Sequence, residues 1–312
     1  MKLIRYLHNL KPEHRGGVLT IGNFDGMHLG HQAMLARLRE LAHQHGTHSL
    51  LMTFRPLPHE YFGRGEPPSR LMNLREKVQV LKTLDAAPDY LLLTRFDDAL
   101  AGLDAETFIA SILVARLAVK AVVVGDDFRF GAARQGDFAM LQAAGEASGF
   151  EVMALSTHKV DNSRVSSTRV RDALLANDLD TARRLLGRPY SIEGRVAHGD
   201  KRGRTIGFPT ANIHLHRPAT ALQGVYAVTL RTADGHWHAG VANLGKRPTV
   251  NGERKQLEVH LFDFDRDIYG EHVCIRFLHK LRDEKKFDSF DALKQQIHND
   301  CLEARRLHRL DA

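Results

Sequence analysis

The stretch "IGNFDGMHLGHQAML" at residues 21–35 joins a predicted strand to a predicted helix through a glycine-rich loop. Upstream, residues 17–22 form a short, apolar, β-branched run that is typical of a buried strand. Downstream, apolar residues recur at helical spacing. His28 and His31 are three residues apart, so both imidazoles project from one side of the first helical turn. Free backbone N–H groups at a helix start attract anions, and the pattern therefore predicts a phosphate site.

Two other interpretations of this histidine pair are weaker. Zinc-binding metalloprotease helices carry H-E-x-x-H with a carboxylate base, and the H-x-x-H spacing here differs from it. Two solvated histidines near a helix start are common, yet they do not account for Gly22, Gly26 and Gly30. Glycines permit tight turns and close approach of a ligand to the backbone, which favours a phosphate-binding loop.

The composition is that of a globular protein of two domains. At 312 residues, the chain is longer than one core usually grows, and 43% of it is hydrophobic and 26% charged. No apolar stretch approaches the roughly 18–20 residues that span a bilayer, and the start lacks the apolar core of a signal peptide. The two cysteines, Cys274 and Cys301, do not form a C-x-x-C pair. We therefore predict a cytoplasmic protein with no membrane partner, disulfide framework or cysteine-bound zinc.

The net charge of +7 is modest, and more of the basic excess lies after residue 187. A mildly basic half suits anionic small ligands as well as nucleic acid. The sequence holds no long lysine or arginine tract and no zinc-finger or RNA-recognition motif, so we predict no nucleic-acid partner. For the oligomeric state, we expect a monomer or a weak homo-oligomer.

The first part of the chain alternates strand-like and helix-like segments. Short apolar runs occur at residues 48–54, 89–94, 120–125 and 150–155. Helical patterns lie between them, near residues 71–84, 104–117 and 137–147. This alternation predicts an α/β domain with a doubly wound, Rossmann-like parallel sheet. In such sheets, ligands bind beyond the carboxyl ends of the strands, where the loops at 22–31 and 125–131 would both fall.

After residue 187 the pattern changes to strands separated by turn-rich loops, with little helix between them. Strand-like runs occur at residues 224–230, 236–244, 257–264 and 272–278. They predict an antiparallel β-barrel, and the helical pattern that follows Ser289 predicts a C-terminal helix. We place the two domains at residues 1–186 and 187–312.

Two further motifs in the first domain carry polar or basic residues at the ends of predicted elements. "VSSTRVR" at residues 165–171 starts a helix, where its hydroxyls would cap the first turn. Capping alone explains the hydroxyls, whereas Arg169 and Arg171 add positive charge that favours a phosphate contact. "GDDFRFG" at residues 125–131 is a polar loop after a buried strand, and an ordinary surface turn explains it equally well.

A glycine-rich loop and a strand carry the candidate residues of the second domain. Residues 194–213 contain "GFPTAN" but no Walker A motif. Thr210 and Asn212 alternate on an extended segment and share one side, where a hydroxyl and an amide oxygen suit Mg²⁺. In "LEVHLFDF" at residues 257–264, Glu258 faces away from the apolar set, so it is either a solvated glutamate or one that faces a ligand.

Together, these motifs resemble one family in their order and spacing. "GNFDGMHLGH" is similar to the G-x-F-D-G-x-H-x-G-H signature of the nucleotidyltransferase superfamily, and "GDDFRFG" and "VSSTRVR" resemble the later motifs of one branch. "GFPTAN", "LEVH", "GVYAV", "GVANLGKRPTV" and "KLRDEKKF" resemble a riboflavin kinase domain. From about Gly16 to Asp300, the chain resembles the bacterial bifunctional riboflavin kinase/FMN adenylyltransferases, also called FAD synthetases.

The resemblance implies two reactions, one on each domain. On a riboflavin kinase barrel, ATP would phosphorylate riboflavin to FMN. On a nucleotidyltransferase domain, a second ATP would adenylylate FMN to FAD with release of pyrophosphate. The implied partners are ATP, riboflavin and FMN as substrates, FAD as a product, and Mg²⁺ bound with ATP.

The resemblance also implies a role for individual residues. Glu258 would be the base for the riboflavin hydroxyl, and His28 and His31 would stabilise charge during adenylyl transfer. ATP and its phosphates would be bound by Gly22, Phe24, Asp25, Gly26, Gly30, Ser167, Thr168, Arg171, Gly199, Lys201 and Gly207. The flavin would contact Asp127, Phe128 and Arg282, and Mg²⁺ would be held by Thr210 and Asn212.

Two positions depart from the family pattern. Family members usually carry P-H-P near the second strand, whereas residues 54–62 here read "FRPLPHEYF", with Leu57 between the prolines and His59 after them. His59 is therefore left out of the implied site. Lys246 stands where relatives commonly have a smaller residue.

Two alternatives remain open at this point. One is a nucleotidyltransferase for another phosphorylated acceptor, with the barrel as a binding module, and the presence of "GFPTAN" and "LEVH" counts against it. The other is a non-catalytic nucleotide- or RNA-binding protein on a basic barrel, against which His28, His31 and Glu258 count.

Overall fold

The computed structural model describes residues 1–63, 68–197, 207–215, 220–249 and 252–309, with the backbone alone described at 246–249 and 252–255. The chain divides into two compact units. The first unit comprises Met1–Pro68 and Lys77–Ser166, and the second comprises Ser69–Glu76 and Ser167–Ala312. Among the described residues, no helix combines the length and the apolar composition that crossing a bilayer requires.

The first unit is built on a six-stranded sheet in which all neighbouring strands are parallel, in the order β1-β4-β3-β2-β5-β6. The strands are β1 Lys2–Arg5, β2 Val18–Ile21, β3 Ser49–Arg55, β4 Tyr90–Arg95, β5 Ala121–Gly125 and β6 Glu151–Leu155. Two short strands, β7 Lys159–Val160 and β8 Ser163–Arg164, form a separate hairpin. The predicted doubly wound parallel sheet is confirmed, and β1 is an additional edge strand that the apolar pattern did not indicate.

Helices connect these strands and cover the sheet. They are α1 Leu29–Gln44, α2 Pro58–Tyr61, α3 Leu74–Thr83, α4 Asp98–Ala101, α5 Ala105–Phe108 and α6 Phe138–Ser148. A π-helical segment, Ile109–Arg116, continues α5, and short 3₁₀ turns lie at Leu7–Asn9, Pro12–His14 and Ala132–Arg134. Leu19 in β2 and Val122 in β5 are fully buried. Burial of the central strands on both faces explains their continuous apolar sequence.

β2 and β5 are neighbours at the centre of the sheet, and the chain leaves them in opposite directions. β2 leads to β3 on one side, whereas β5 leads to β6 on the other. Their pairing ends at Thr20↔Val123, so the loops that follow separate beyond the carboxyl ends of the strands. In an open α/β sheet, such a switch point is where ligands bind. The loops at 22–28 and 126–131 both begin here.

The second unit contains a closed antiparallel barrel with the strand order β10-β13-β12-β11-β14-β9. The strands are β9 Ser191–Ala197, β10 Ala211–His214, β11 Gly224–Arg231, β12 Trp237–Thr249, β13 Gly252–Leu261 and β14 His272–Arg282. Leu257 and Val259 of β13 are fully buried, whereas Glu258 between them is partly exposed. The predicted barrel is confirmed, and so is the alternation of apolar and polar residues along β13.

Within the described part of the second unit, the helices that follow Ser166 are α7 Ser167–Leu175, α8 Leu179–Leu186 and α9 Phe290–His308. α9 is the predicted C-terminal helix, and the side chain of Ser289 caps its first turn. The helix covers part of the outer barrel face, where Val225 and Phe262 pack in one apolar cluster with Cys301.

A short segment from far upstream, Ser69–Glu76, belongs to the second unit. Glu76 is buried, and its carboxylate accepts hydrogen bonds from the backbone N–H of Glu193 at 2.8 Å and of Asn73 at 2.6 Å. The Tyr190 hydroxyl donates to a carbonyl of the same segment at 3.4 Å. The domain limits predicted at residues 186 and 187 do not assign this segment to the second domain.

Burial raises the pKa of Glu193, and the nearby Glu76 carboxylate raises it further, although Arg75 lies 3.6 Å away. A glutamate whose folded-state pKa is raised contributes to stability below its ordinary pKa of 4.5 and loses that contribution as the pH rises through the folded-state value. We therefore expect Glu193→Gln to increase the free energy of unfolding at pH 8, with the gain disappearing towards pH 4. Urea unfolding at both pH values measures the difference.

Glu303→Gln is the control for this experiment. Glu303 is exposed and paired with Arg306, and the hydrogen bond from that arginine lowers the pKa of its carboxyl. The control should therefore show no gain at pH 8. An equal gain at both pH values for Glu193→Gln would show that its effect does not come from ionisation.

Candidate active sites

The loop after β2 has a strained backbone. Phe24 and Met27 have positive φ values of 46° and 50°, a region that costs non-glycine residues of order 1 kcal/mol each. Both side chains are buried, and Asp25 between them is only 2% exposed. Burial of these three side chains holds the loop in this conformation, so the backbone that leads into His28 is fixed.

Lys77 is a buried cation against this loop, and the sequence analysis missed it. Its ammonium donates to the backbone carbonyl of Asn23 at 2.6 Å and to the Thr53 hydroxyl at 3.0 Å. The lysine is 5% exposed. A positive charge in a buried position favours anions nearby more strongly than an exposed one does, because water screens it less.

His28 and His31 lie together at the start of α1. His28 is the N-cap residue, and its Nδ1 accepts the backbone N–H of His31 at 3.3 Å. The two rings stack with centroids 3.6 Å apart, and the ring of Phe24 lies 4.7 Å from that of His31. Because Nδ1 of His28 is an acceptor, the proton of the neutral ring is on Nε2. A Cβ on Gly30 would lie 3.3 Å from the His28 ring, so this glycine leaves room for the imidazole.

The loop after β5 is joined to the segment before α7. Asp127 accepts a hydrogen bond from Arg164 at 2.6 Å, and Asp126 accepts one from Thr157 at 2.9 Å. The ring of Phe128 stacks on Phe130 with centroids 5.5 Å apart. The structure therefore connects the "GDDFRFG" motif to the residue that precedes "VSSTRVR". Asp127 and Phe128, the predicted flavin contacts, lie at the switch point of the sheet.

Ser167, Thr168 and Arg171 lie in the first turns of α7. The helix begins at Ser167, and the Arg171 guanidinium donates to the carbonyl of Ser69 at 2.8 Å. These residues belong to the second compact unit, whereas His28 and His31 belong to the first. Their contribution to a shared phosphate site therefore stays a prediction from the motif.

His59 lies in α2, partly exposed.

In the barrel, β10 and β13 place the predicted metal ligand beside the predicted base. Asn212 is directly opposite Glu258 in the antiparallel register, and Asn243 of β12 is opposite Glu258 on the other side. Residues that are opposite in a sheet project from the same face. The Gln256 side chain donates to the Asn212 carbonyl oxygen and, at 3.0 Å, to a Glu258 carboxylate oxygen. Sequence reasoning missed Gln256 because only the pairing of the strands brings it to Asn212.

His260 fixes the segment that leads into β10. Its Nδ1 lies 2.8 Å from the carbonyl oxygen of Pro209, and its ring makes an edge contact with Phe208. Burial lowers the pKa of His260, so the ring is neutral at pH 7 and Nδ1–H is the donor. This hydrogen bond holds Pro209 against β13. Thr210 follows Pro209 directly, so it lies immediately before β10, beside the strand that carries Glu258.

Arg282, a predicted flavin contact, is bound by the C-terminal helix. Its Nε and Nη2 donate to the two carboxylate oxygens of Asp300 at 2.9 and 2.7 Å, and Nη1 donates to the Asp283 carbonyl at 2.9 Å. Asp300 is 5% exposed. In the same loop, the Glu284 carboxylate occupies the space that a Cβ on Gly245 would take. The ion pair therefore fixes the orientation of Arg282 from α9.

Three predicted positions lie partly or wholly outside the described residues. Gly199 and Lys201 fall in the range 198–206, and the side chain of Lys246 falls in the range 246–249. Gly207 is described, with a φ of 86°, and no atom of the described residues lies within 4 Å of the position of a Cβ.

Removing the Asp300 carboxylate should destabilise the second unit strongly. Asp300→Ala leaves the Arg282 guanidinium, whose side chain is 20% exposed, without its carboxylate, and loss of one partner of a buried ion pair costs about 3–5 kcal/mol. Urea unfolding measures the change. The matched control is Glu303→Ala on the same helix, which breaks the exposed pair with Arg306 and should cost less than about 1 kcal/mol. Equal losses in both variants would contradict a buried-pair role.

The whole chain matches known proteins. The FAD synthetase family model matches residues 10–169, and the riboflavin kinase family model matches residues 186–308. The bifunctional riboflavin kinase/FMN adenylyltransferase of Haemophilus influenzae is 50% identical over 98% of both chains. The protein of the same name from Escherichia coli K12 is 49% identical over 98% of this chain and 97% of its own length. The chain belongs to the bifunctional riboflavin kinase/FMN adenylyltransferase family.

A solved structure has the same fold over nearly the same length. The crystal structure titled macrolide-efflux protein from Streptococcus pneumoniae superposes with a TM-score of 0.83 at 32% identity, covering 97% of this chain and 98% of its own. The activity in that title concerns the streptococcal protein. For the bifunctional family, the two family models fall on the parallel sheet and on the barrel, as the sequence motifs predicted.

Proposed function

We propose that this chain makes FMN and then FAD from riboflavin. ATP phosphorylates riboflavin on the barrel, and ATP adenylylates FMN at the switch point of the parallel sheet, with release of pyrophosphate. The observation that carries this assignment is the placement of Asn212 beside Glu258 in one unit and of stacked His28 and His31 at a helix start in the other. Matches to relatives over 98% of the chain agree with it.

For adenylyl transfer, we infer that the start of α1 binds the phosphates of ATP. A phosphate oxygen of FMN attacks the α-phosphorus, and the bond to the β-phosphate breaks. His28 Nε2–H, His31 and the N–H groups of the helix start donate to the oxygens on which negative charge grows. One well-placed donor of this kind is worth on the order of 3 kcal/mol in the transition state. The loop residues Gly22, Phe24, Asp25, Gly26 and Gly30 shape the phosphate site.

Other residues complete this first site in our proposal. Ser167, Thr168 and Arg171 bind further phosphate oxygens, as hydroxyl and guanidinium donors at a helix start do. Phe128 packs on the flavin ring, and Asp127 accepts from its polar edge. These roles rest on the sequence motifs and on the position of each residue within its own unit.

For riboflavin phosphorylation, we infer that Glu258 is the general base. It accepts the proton of the riboflavin 5′-hydroxyl while the hydroxyl oxygen attacks the γ-phosphorus and the bond to ADP breaks. The carboxylate has a fixed orientation because Gln256 donates to one of its oxygens. A base in hydrogen-bond reach contributes roughly 10² to 10⁴ in rate. Gly199, Lys201 and Gly207 are the proposed phosphate-binding residues, and Arg282 the proposed flavin contact.

Thr210 and Asn212 fit a magnesium ion that accompanies ATP. Both offer neutral oxygen donors, and Mg²⁺ prefers a few protein oxygens with phosphates supplying the rest. Asn212 presents its carbonyl oxygen to Gln256 rather than its NH₂ group, and the same Gln256 amide donates to Glu258. When bound, the ion neutralises charge on the transferred phosphoryl group. We further propose a cytoplasmic enzyme that is a monomer or a weak homo-oligomer.

A direct assay tests the proposed function. The purified protein is incubated with riboflavin, ATP and Mg²⁺, and flavins are separated by chromatography over time. Successive appearance of FMN and FAD is expected. Formation of neither flavin by a folded protein would overturn the proposal.

His28→Ala should separate the two activities. The variant should phosphorylate riboflavin at close to the normal rate, while FMN accumulates because adenylyl transfer falls on the order of 10²-fold or more in kcat. Since the imidazole acts mainly in the transition state, KM for ATP should change less than kcat. His43→Ala, an exposed histidine further along α1, is the control and should keep both activities. Equal loss of both reactions in a folded His28 variant would refute the two-site assignment.

Glu258→Gln should abolish riboflavin phosphorylation selectively. The amide keeps the size of the side chain but does not take a proton at neutral pH, so FMN formation should fall by roughly two to four orders of magnitude. Supplied FMN should still become FAD, because the proposed adenylyl site uses other residues. Glu303→Gln on the exposed face of α9 should behave as wild type. Normal phosphorylation by Glu258→Gln would make this glutamate structural.

A further inference from the structure

Gln256 lies next to the proposed base and next to the proposed metal ligand. It precedes Glu258 by two residues on β13, so both side chains project from the same face of the strand. Gly245 lies opposite Gln256 on β12 and has no side chain to contact it. Across the sheet on the other side, the Gln256 side chain reaches Asn212 on β10.

The Gln256 side chain connects two strands through one amide group. Nε2 donates to Oδ1 of Asn212 on β10 and to Oε1 of Glu258 on its own strand, the latter at 3.0 Å. An amide nitrogen carries two protons, so it serves both acceptors at once. Asn212 is the diagonal neighbour of Gln256, since Asn212 is opposite Glu258. A diagonal pair is about 7–8 Å apart at the backbone, a distance that only a long side chain crosses.

We propose that Gln256 is a positioning residue for the kinase reaction. Its side chain holds the Asn212 oxygen and the Glu258 carboxylate in one fixed geometry. This inference rests on the proposed roles of these two residues. Fixing Asn212 by its oxygen selects one of the two amide orientations, and the second lone pair of that oxygen is the one proposed to bind the cation. The hydrogen bond to one oxygen of Glu258 fixes the orientation of the carboxylate that accepts the hydroxyl proton. Without Gln256, both groups gain rotational freedom that the reaction does not tolerate.

Gln256→Met tests the inference because methionine matches the length of the side chain but donates no hydrogen bond. Hydrogen bonds to charged groups are worth more than ordinary ones, so kcat for FMN formation should fall about 10- to 100-fold. The Mg²⁺ concentration that gives half-maximal rate should rise several-fold, while KM for riboflavin changes little. Conversion of supplied FMN to FAD and the thermal unfolding midpoint should match wild type. Gln295→Met, which removes an exposed Gln–Asn hydrogen bond on α9, is the control.

A double variant distinguishes positioning from a structural role. If Gln256 acts through Glu258, Gln256→Met should add little to the loss already caused by Glu258→Gln, because contacting residues are not additive. Full additivity, or a normal kcat and Mg²⁺ dependence in Gln256→Met, would overturn the inference. If Glu258→Gln itself phosphorylates riboflavin normally, the proposed base fails instead. If Glu258→Gln is inactive and Gln256→Met is normal, the proposed function stands and the inference alone fails.

Discussion

Hydrogen bonding between strands determines where each proposed catalytic group of this chain lies. In the barrel, pairing of β13 with β10 and with β12 puts Asn212, Glu258 and Asn243 in one row. A slip of one residue in either register would turn a side chain of this row to the apolar interior. In the parallel sheet, β2 and β5 stop pairing after Thr20↔Val123, and the loops that carry the candidate phosphate and flavin residues begin there.

The two units offer different electrostatic environments to the same nucleotide. Around the start of α1, the groups that favour an anion belong to the protein: the N–H groups of the helix start, the Nε2–H of His28 and the buried Lys77 ammonium. In the row of Asn212, Glu258 and Asn243 on the barrel, the described side chains contribute amide groups and one carboxylate, and in our proposal the cation comes with ATP. The first environment suits stabilisation of negative charge on phosphate, and the second suits removal of a proton from an alcohol. The chemistry expected of each unit therefore depends on whether the protein or the bound nucleotide supplies the positive charge.

Elements with a regular buried face could be predicted from the sequence, because their apolar residues recur at the spacing of a helix or of a strand. This holds for the central strands, for α9 and for the alternation on β13. It fails for β1, a four-residue edge strand in which Ile4 alone is buried. The candidate residues of both sites were named from the sequence because each motif is local. Gln256 and the Ser69–Glu76 segment were not, since their partners are 44 and 117 residues away in the chain. A local sequence pattern does not indicate which residues that are far apart in the chain will contact each other in the fold.

The attachment of Ser69–Glu76 to the barrel has a consequence for the order of events on the ribosome. This segment is made before β9, and the backbone N–H that Glu76 binds follows 117 residues later. At about 5–20 residues per second, the interval is roughly 6–23 s. During that time the Glu76 carboxylate is hydrated, while the strands of the parallel sheet are completed. The second unit thus begins to be synthesised in the middle of the first, but the hydrogen bond between Glu193 and Glu76 forms only after β9 has been made.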